Sequence, residues 1–208
     1  MASSRELRRV CAYCASSAAA DAAYYRAAER LGEELASAGV TIVYGGGAKG
    51  SMGALASGAL ARGGRVIGIL PRFMQDLEWG HRGLTQLMLV ENMRERKHLM
   101  LTDSDAVIAL PGGCGTLEEL LEAITLKRLG IYLKPIVMLN TRGFFDPLLE
   151  LLRHCVRERF MNPEHEQMWT AVDEPEQVIA AIRNAPAWSE EARNFAQVEP
   201  TSPAKDSV

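Results

Sequence analysis

Two neighbouring carboxylates, Glu118 and Glu119, follow the run Pro111-Gly112-Gly113-Cys114-Gly115-Thr116. Upstream, Arg94, Arg96, Lys97 and His98 crowd the charged stretch 93–100. A glycine turn that opens a helix leaves backbone N–H groups without partners, and such a terminus can hold a phosphate. A carboxylate beside it can stabilise positive charge or take a proton. These residue types suggest a phosphate-bearing substrate held next to an acid or base. The spacing has a structural explanation as well. Thr116 and Glu119 fit T-x-x-E, a capping box in which Glu119 would fold back onto the Thr116 backbone. Acids are also favoured in a first helical turn by the helix dipole. On spacing alone the structural reading is the stronger one. The charged stretch reads first as a solvated helix face, although an arginine in it could grip a phosphate or a carboxylate through its forked donors. His98 receives no role.

A second glycine run, 44–53, matches G-x-G-x-x-G at Gly45, Gly47 and Gly50. Alone this is a weak dinucleotide signal. The next apolar run ends Leu70-Pro71-Arg72, without the acidic residue that a nicotinamide fold uses for the ribose hydroxyls. The expected role of these glycines is backbone shape first and ligand approach second. Ser16 and Ser17, in the segment CASS, either cap the following helix or donate to a phosphate. Cys11 and Cys14 form C-x-x-C, but a strand points residues three apart to opposite faces. No second cysteine pair completes a metal set, so no metal is expected.

These groups must be positioned by the elements around them. Apolar runs at 9–13, 40–44, 65–70, 84–90, 106–110, 135–139 and 169–172 read as strands. Helical spacing occupies 21–38, 51–62, 92–101 with Asn92 as cap, 116–129, 144–159 and 175–183, while 72–83 reads as a loop. Strands alternating with helices predict an α/β fold of three layers, with a mainly parallel sheet covered on both faces. Ligands of such sheets bind at the carboxyl ends of the strands, where both glycine runs lie.

The 208 residues suffice for one sizeable core, taken as a single domain over 1–194 with a polar, disordered tail over 195–208. A net charge of −3 gives no broad basic surface for nucleic acid. No apolar run approaches the roughly 20 residues that cross a bilayer, and the first nine residues lack an apolar secretory core. The expected location is the cytoplasm.

Taken together, CASS, VYGGGAKGSMG, the pair Arg96-Lys97 after Met93, and PGGCGTLEE resemble the LONELY GUY family of cytokinin riboside 5′-monophosphate phosphoribohydrolases. The similarity runs from about 10 to 183. Every fixed position of the family pattern P-G-G-x-G-T-x-x-E is present, with Cys114 at the variable one. The resemblance implies a Rossmann-like fold and a homodimer with its active site near the subunit interface. It also implies hydrolysis of the N-glycosidic bond of an adenine-type nucleoside 5′-monophosphate, such as AMP or its N6-prenylated form, without a cofactor. Arg96 and Glu119 take the catalytic positions. Gly112, Gly113, Gly115 and Thr116 take the phosphate loop, and Glu78, Lys97, Thr125, Ser17 and Gly46 join the substrate-binding set. An older label attached to such proteins, lysine decarboxylase, is set aside because no pyridoxal-phosphate lysine motif is recognisable. The alternative is a nucleotide or molybdenum-cofactor carrier on the same scaffold. A carrier would need the phosphate cradle but not the Arg96–Glu119 pair.

Overall fold

The apolar runs form seven strands among the described residues. They are β1 (Arg9–Tyr13), β2 (Thr41–Tyr44), β3 (Val66–Pro71), β4 (Gln86–Val90), β5 (Ala106–Ala109), β6 (Ile136–Leu139) and β7 (Thr170–Val172). The structure, a computed structural model, describes residues 6–75 and 80–198. One sheet takes them all in the order β4-β3-β2-β1-β5-β6-β7, with every neighbouring pair parallel. The chain starts in the middle, winds out to β4, crosses back, and winds out to β7. The reversal falls between β1 and β5, where Val10 is level with Ala106 and Tyr13 with Ala109. Connections leaving those two strands go opposite ways, which opens a crevice beyond their carboxyl ends.

The helices are α1 (Ala22–Ser37), α2 (Gly50–Ala61), α3 (Arg72–Gln75), α4 (Met93–Leu101), α5 (Cys114–Arg128), α6 (Asp146–Arg157) and α7 (Val178–Asn184). Leu31 and Leu35 of α1, Leu55 of α2 and Ile182 of α7 pack with Val10, Ile42 and Ile108 on one face of the sheet. Met100 of α4, Leu120 and Ile124 of α5 and Leu152 of α6 pack with Cys11, Val43 and Val107 on the other. The strands are buried on both sides, as a parallel sheet with crossover helices requires. The predicted three-layer α/β fold is therefore the one observed. Cys11 and Cys14 fall in the two different layers, as strand alternation demands.

Two local expectations change. The segment 72–83 is not all loop: Arg72–Gln75 form a short helix, and Gly80 pairs antiparallel with Gly47. The fifth helix begins at Cys114 rather than Thr116, because Gly113 serves as its N-cap. Beyond α7 the chain returns across the far end of α5. The Trp188 indole donates to the Lys127 carbonyl at 2.8 Å, and Arg128 Nε donates to the Ala196 carbonyl at 3.0 Å. Phe195 and Ala196, the first residues of the expected tail, are thus held against the body. Residues 199–208 lie outside the described residues.

Candidate active site

β5 brings the chain to the carboxyl edge of the sheet, and Pro111-Gly112 turn it into α5. The first helical bond runs from the Leu117 N–H to the Gly113 carbonyl, 3.0 Å away. The N–H groups of Cys114, Gly115 and Thr116 therefore have no helical acceptor. Thr116 is buried with its side chain against Gly112, where a Cβ would come 2.2 Å from Thr116 Oγ1. A Cβ at 113 or 115 would meet nothing within 4 Å, and neither residue has a positive φ. Packing explains the glycine at 112 but not those at 113 and 115. Both line a cavity of about 280 Å³, so their bare backbone leaves room for a ligand to approach.

The facing wall is the turn after β1, where Cys14, Ser16 and Ser17 line the same cavity. Two contacts hold this turn in place. The Met52 N–H donates to the Ala15 carbonyl at 3.0 Å. Gly50, with φ +60°, lets the Ser17 carbonyl lie 2.3 Å from where its own Cβ would stand. The cap of α1 is Asp21, which accepts from the Ala23 N–H at 2.8 Å. Ser17 Oγ is exposed and accepts from the Ala19 N–H at 3.3 Å. Burial pushes the Cys14 thiol far up, so it stays neutral. A second cavity of about 250 Å³, walled by Met52, Leu70 and Met74, adjoins the first and shares Ser16, Met52 and Arg96 with it.

Arg96 stands at that seam. Asn92 caps α4 by accepting from the Glu95 N–H at 3.0 Å, which sets the helix phase and turns Arg96 inward. Its side chain is buried, the residue being 5% exposed. Nε donates to the Ile69 carbonyl at 3.2 Å, and Nη1 lies 3.7 Å from Met93 Sδ and 3.5 Å from Glu119 Oε1. Glu119 is 4% exposed. Burial pushes its carboxyl up to about 6, while the Arg96 guanidinium pulls the other way and Glu118 adds a smaller upward push. The result is a carboxylate ionised at neutral pH yet able to take a proton close to it.

The capping box expected from T-x-x-E does not form. With Gly113 as N-cap, Thr116 is the third helical residue and Glu119 lies in the second turn, facing Arg96. The structural rival to the site reading of Glu119 is therefore removed.

Arg96, Glu119, Gly113, Gly115, Thr116 and Ser17 converge on one cleft. Gly112 supports it from below, against the side chain of Thr116. Lys97 turns to the rim, where it pairs with Glu118 and, at 3.1 Å, with Glu122. Thr125 is exposed about three turns along α5, with its hydroxyl donated to the Leu121 carbonyl at 2.8 Å. Gly46 does not line either cavity. Its φ of +79° turns the chain, and its carbonyl accepts from the His81 N–H at 2.9 Å. Glu78 lies outside the described residues. Sequence reasoning missed Cys14, Met52 and Met93 as lining residues. Met93 had a signal, being the first residue of the capped helix that carries Arg96.

An open cavity over helix N–H groups that have no helical acceptor, at the switch point of a doubly wound sheet and beside a buried arginine–carboxylate pair, defines the class: a doubly wound α/β protein with its cleft where such folds receive ligands. Comparison with known proteins narrows this. A family model described as "Possible lysine decarboxylase" matches residues 52–182. One cytokinin riboside 5′-monophosphate phosphoribohydrolase of Arabidopsis thaliana is 39% identical over 180 residues, covering 86% of this chain and 84% of that protein. The protein of the same name from Rhodococcoides fascians is 39% identical over 178 residues, covering 85% and 90%. Among solved structures, the molybdenum cofactor carrier protein of Chlamydomonas reinhardtii superposes with a TM-score of 0.67 over 86% of this chain and 98% of that one. At 19% identity, the likeness is one of fold. The chain belongs to the cytokinin riboside 5′-monophosphate phosphoribohydrolase family, the LONELY GUY family. The curated relatives carry the phosphoribohydrolase name and not the decarboxylase wording of the family model. Lys127, the buried lysine among the described residues, donates at 2.9 Å to the Lys134 carbonyl at the far end of α5.

Proposed function

We propose that this protein hydrolyses the N-glycosidic bond of an adenosine 5′-monophosphate or its N6-modified form, giving the free base and ribose 5-phosphate. The carrying observation is the buried Arg96–Glu119 pair, set beside the open N-terminus of α5 in a chain of this family. The 5′-phosphate accepts from the N–H groups of Cys114, Gly115 and Thr116, with Ser17 on the opposite wall. This remote anchoring sets the ribose over Glu119. As the C1′–N9 bond breaks, its electron pair leaves with the base and positive charge grows on the sugar. The Glu119 carboxylate stabilises that charge and accepts a proton from the water that adds at C1′; the departing base takes up one proton from solvent and Glu119 afterwards gives its own back to solvent, so the net reaction consumes one water. Arg96 keeps the carboxylate ionised and oriented. No step calls for a cofactor.

In this reading the working unit is a homodimer, supported by the apolar residues exposed beside the cleft. A cytoplasmic location accords with four free thiols, two of them buried. Among the described residues, no helix is long and apolar enough to cross a membrane.

The test is to incubate the protein with AMP and with N6-isopentenyl-AMP and to quantify free base and ribose 5-phosphate. Release of both products in equal amounts is expected, together with a loss of at least about 100-fold in Glu119→Gln. Tight nucleotide binding without release of base from either compound would favour the carrier reading instead.

A further inference from the structure

Position 45 has no backbone reason to be glycine, since its φ lies outside the left-handed region. Its reason is a neighbour. A Cβ there would stand 2.0 Å from Arg96 Nη2, and 3.1 Å from both Arg96 Cζ and Met52 Cε. The obstruction is made by the tips of two flexible side chains, Arg96 at a forbidding distance and Met52 at a tight one, and not by backbone. An alanine would therefore be absorbed by moving the guanidinium, with β2 and its turn left in place. The guanidinium is fixed on its other sides by the Ile69 carbonyl at Nε, and by Met93 Sδ and Glu119 Oε1 at Nη1. The bare Cα of Gly45 completes the seat. The next two glycines have other reasons. Gly46 turns the chain with φ +79°, and a Cβ at Gly47 would strike Met52 Sδ at 2.7 Å.

We propose that Gly45 is a positioning residue: the absent side chain forms the seat that keeps Arg96 against Glu119. The turnover arm of the test rests on the function proposed above, whereas the seat itself does not. The run that imitates a dinucleotide fingerprint thus contributes its first glycine to placing an arginine from a different helix.

A methyl at 45 displaces the guanidinium by an ångström or more, a misplacement of the kind that costs about 100-fold in rate. It also withdraws the charge that pulls the Glu119 carboxyl down. The other titratable and charged groups acting on that carboxyl are Lys97 from α4, Glu118 and Glu122 from α5, and Cys11, Tyr13 and Cys14 from β1 and its end. Those stay in place.

The experiment compares wild type, Gly45→Ala, Arg96→Lys and the double variant. Lysine has no Nη2 to meet the methyl. Gly45→Ala is expected to lower kcat/KM for base release about 100-fold when Arg96 is intact, and by less than about twofold when it is added to Arg96→Lys. The acid limb of the pH profile should move upward, with melting near that of wild type. A full loss that persists beside Arg96→Lys would mean the methyl acts on substrate directly and would overturn the proposal. So would an unchanged kcat/KM. Titration of ¹³C-labelled Glu119 by NMR gives a second readout that needs no turnover. An upward move in Gly45→Ala supports the seat, and an unmoved titration overturns it. If wild type releases no base at all, the proposed function falls, and the NMR titration alone decides the role of Gly45.

Discussion

Glu119 is a buried carboxylate whose environment favours the neutral form, and that has opposite consequences for activity and stability. Its folded value is about 6, raised chiefly by burial, against 4.5 for the unfolded chain. Between these values the folded state binds more protons than the unfolded one. Stability therefore falls as pH rises from 4.5 to 6, and the loss stays constant above that. Glu119→Gln mimics the neutral form. It should stabilise the protein by up to about 2 kcal/mol at pH 7.5 and by almost nothing at pH 4.5, while lowering hydrolysis at least about 100-fold. Urea unfolding at the two pH values checks this; a variant less stable than wild type at pH 7.5 would show that the ionised pair with Arg96 is a net structural asset. On the same grounds, kcat/KM of the wild type should decline below about pH 6, because the mechanism uses the ionised carboxylate.

The element that organises the site is α5, and its first turn separates glycines kept for packing from glycines kept for access. Gly112 is pressed by Thr116, whereas Gly115 sits in the second position of the helix with open space beside it. Gly115→Ala should leave the fold intact, and the better helix former may add up to about 1 kcal/mol. In the proposed mechanism the new methyl would stand where the phosphate approaches, so kcat/KM should drop about tenfold or more through a higher KM. Unchanged kinetics in a well-folded variant would remove the phosphate from this turn. Sequence periodicity was sufficient to find nearly every strand and helix, because each buried face leaves a regular apolar pattern. The start of α5 was displaced by two residues, since a glycine N-cap has no side chain to announce it and T-x-x-E imitated a later start. The convergence of Arg96 with Glu119 was only half legible. Their neighbours along the chain suggest helices, but the helix phase that turns Arg96 inward, and the seat at Gly45, depend on contacts between residues far apart in sequence.

At the scale of the molecule, the cleft and an apolar surface share one edge. Along α5 the exposed positions Cys114, Glu118, Leu121 and Thr125 recur at helical spacing, with Leu121 40% exposed and Leu129, 43% exposed, one turn beyond Thr125; Ile131, 67% exposed, follows the end of the helix. Met93, also exposed, lies at the cleft end of this surface and lines the cavity with Glu118. The far end of α5 is committed elsewhere, to Trp188 and Ala196, so the helix cannot rotate to hide the row. Large apolar side chains aligned beside an active-site rim are typical of a surface covered by another subunit. A two-fold contact through α5 would bring a second copy to the mouth of each cleft and narrow its access to water. Leu121→Glu puts a charge at the centre of the row, on an exposed helix position where folding tolerates it. Sedimentation velocity should show a dimer for wild type at micromolar concentration and a monomer for the variant, with melting little changed. Base release by the monomer should be at least about tenfold weaker, because the loss of closure lets water into the phosphate site. A wild type that sediments as a monomer, or a monomeric variant with full activity, would detach the dimer from the chemistry and leave each cleft complete within one chain.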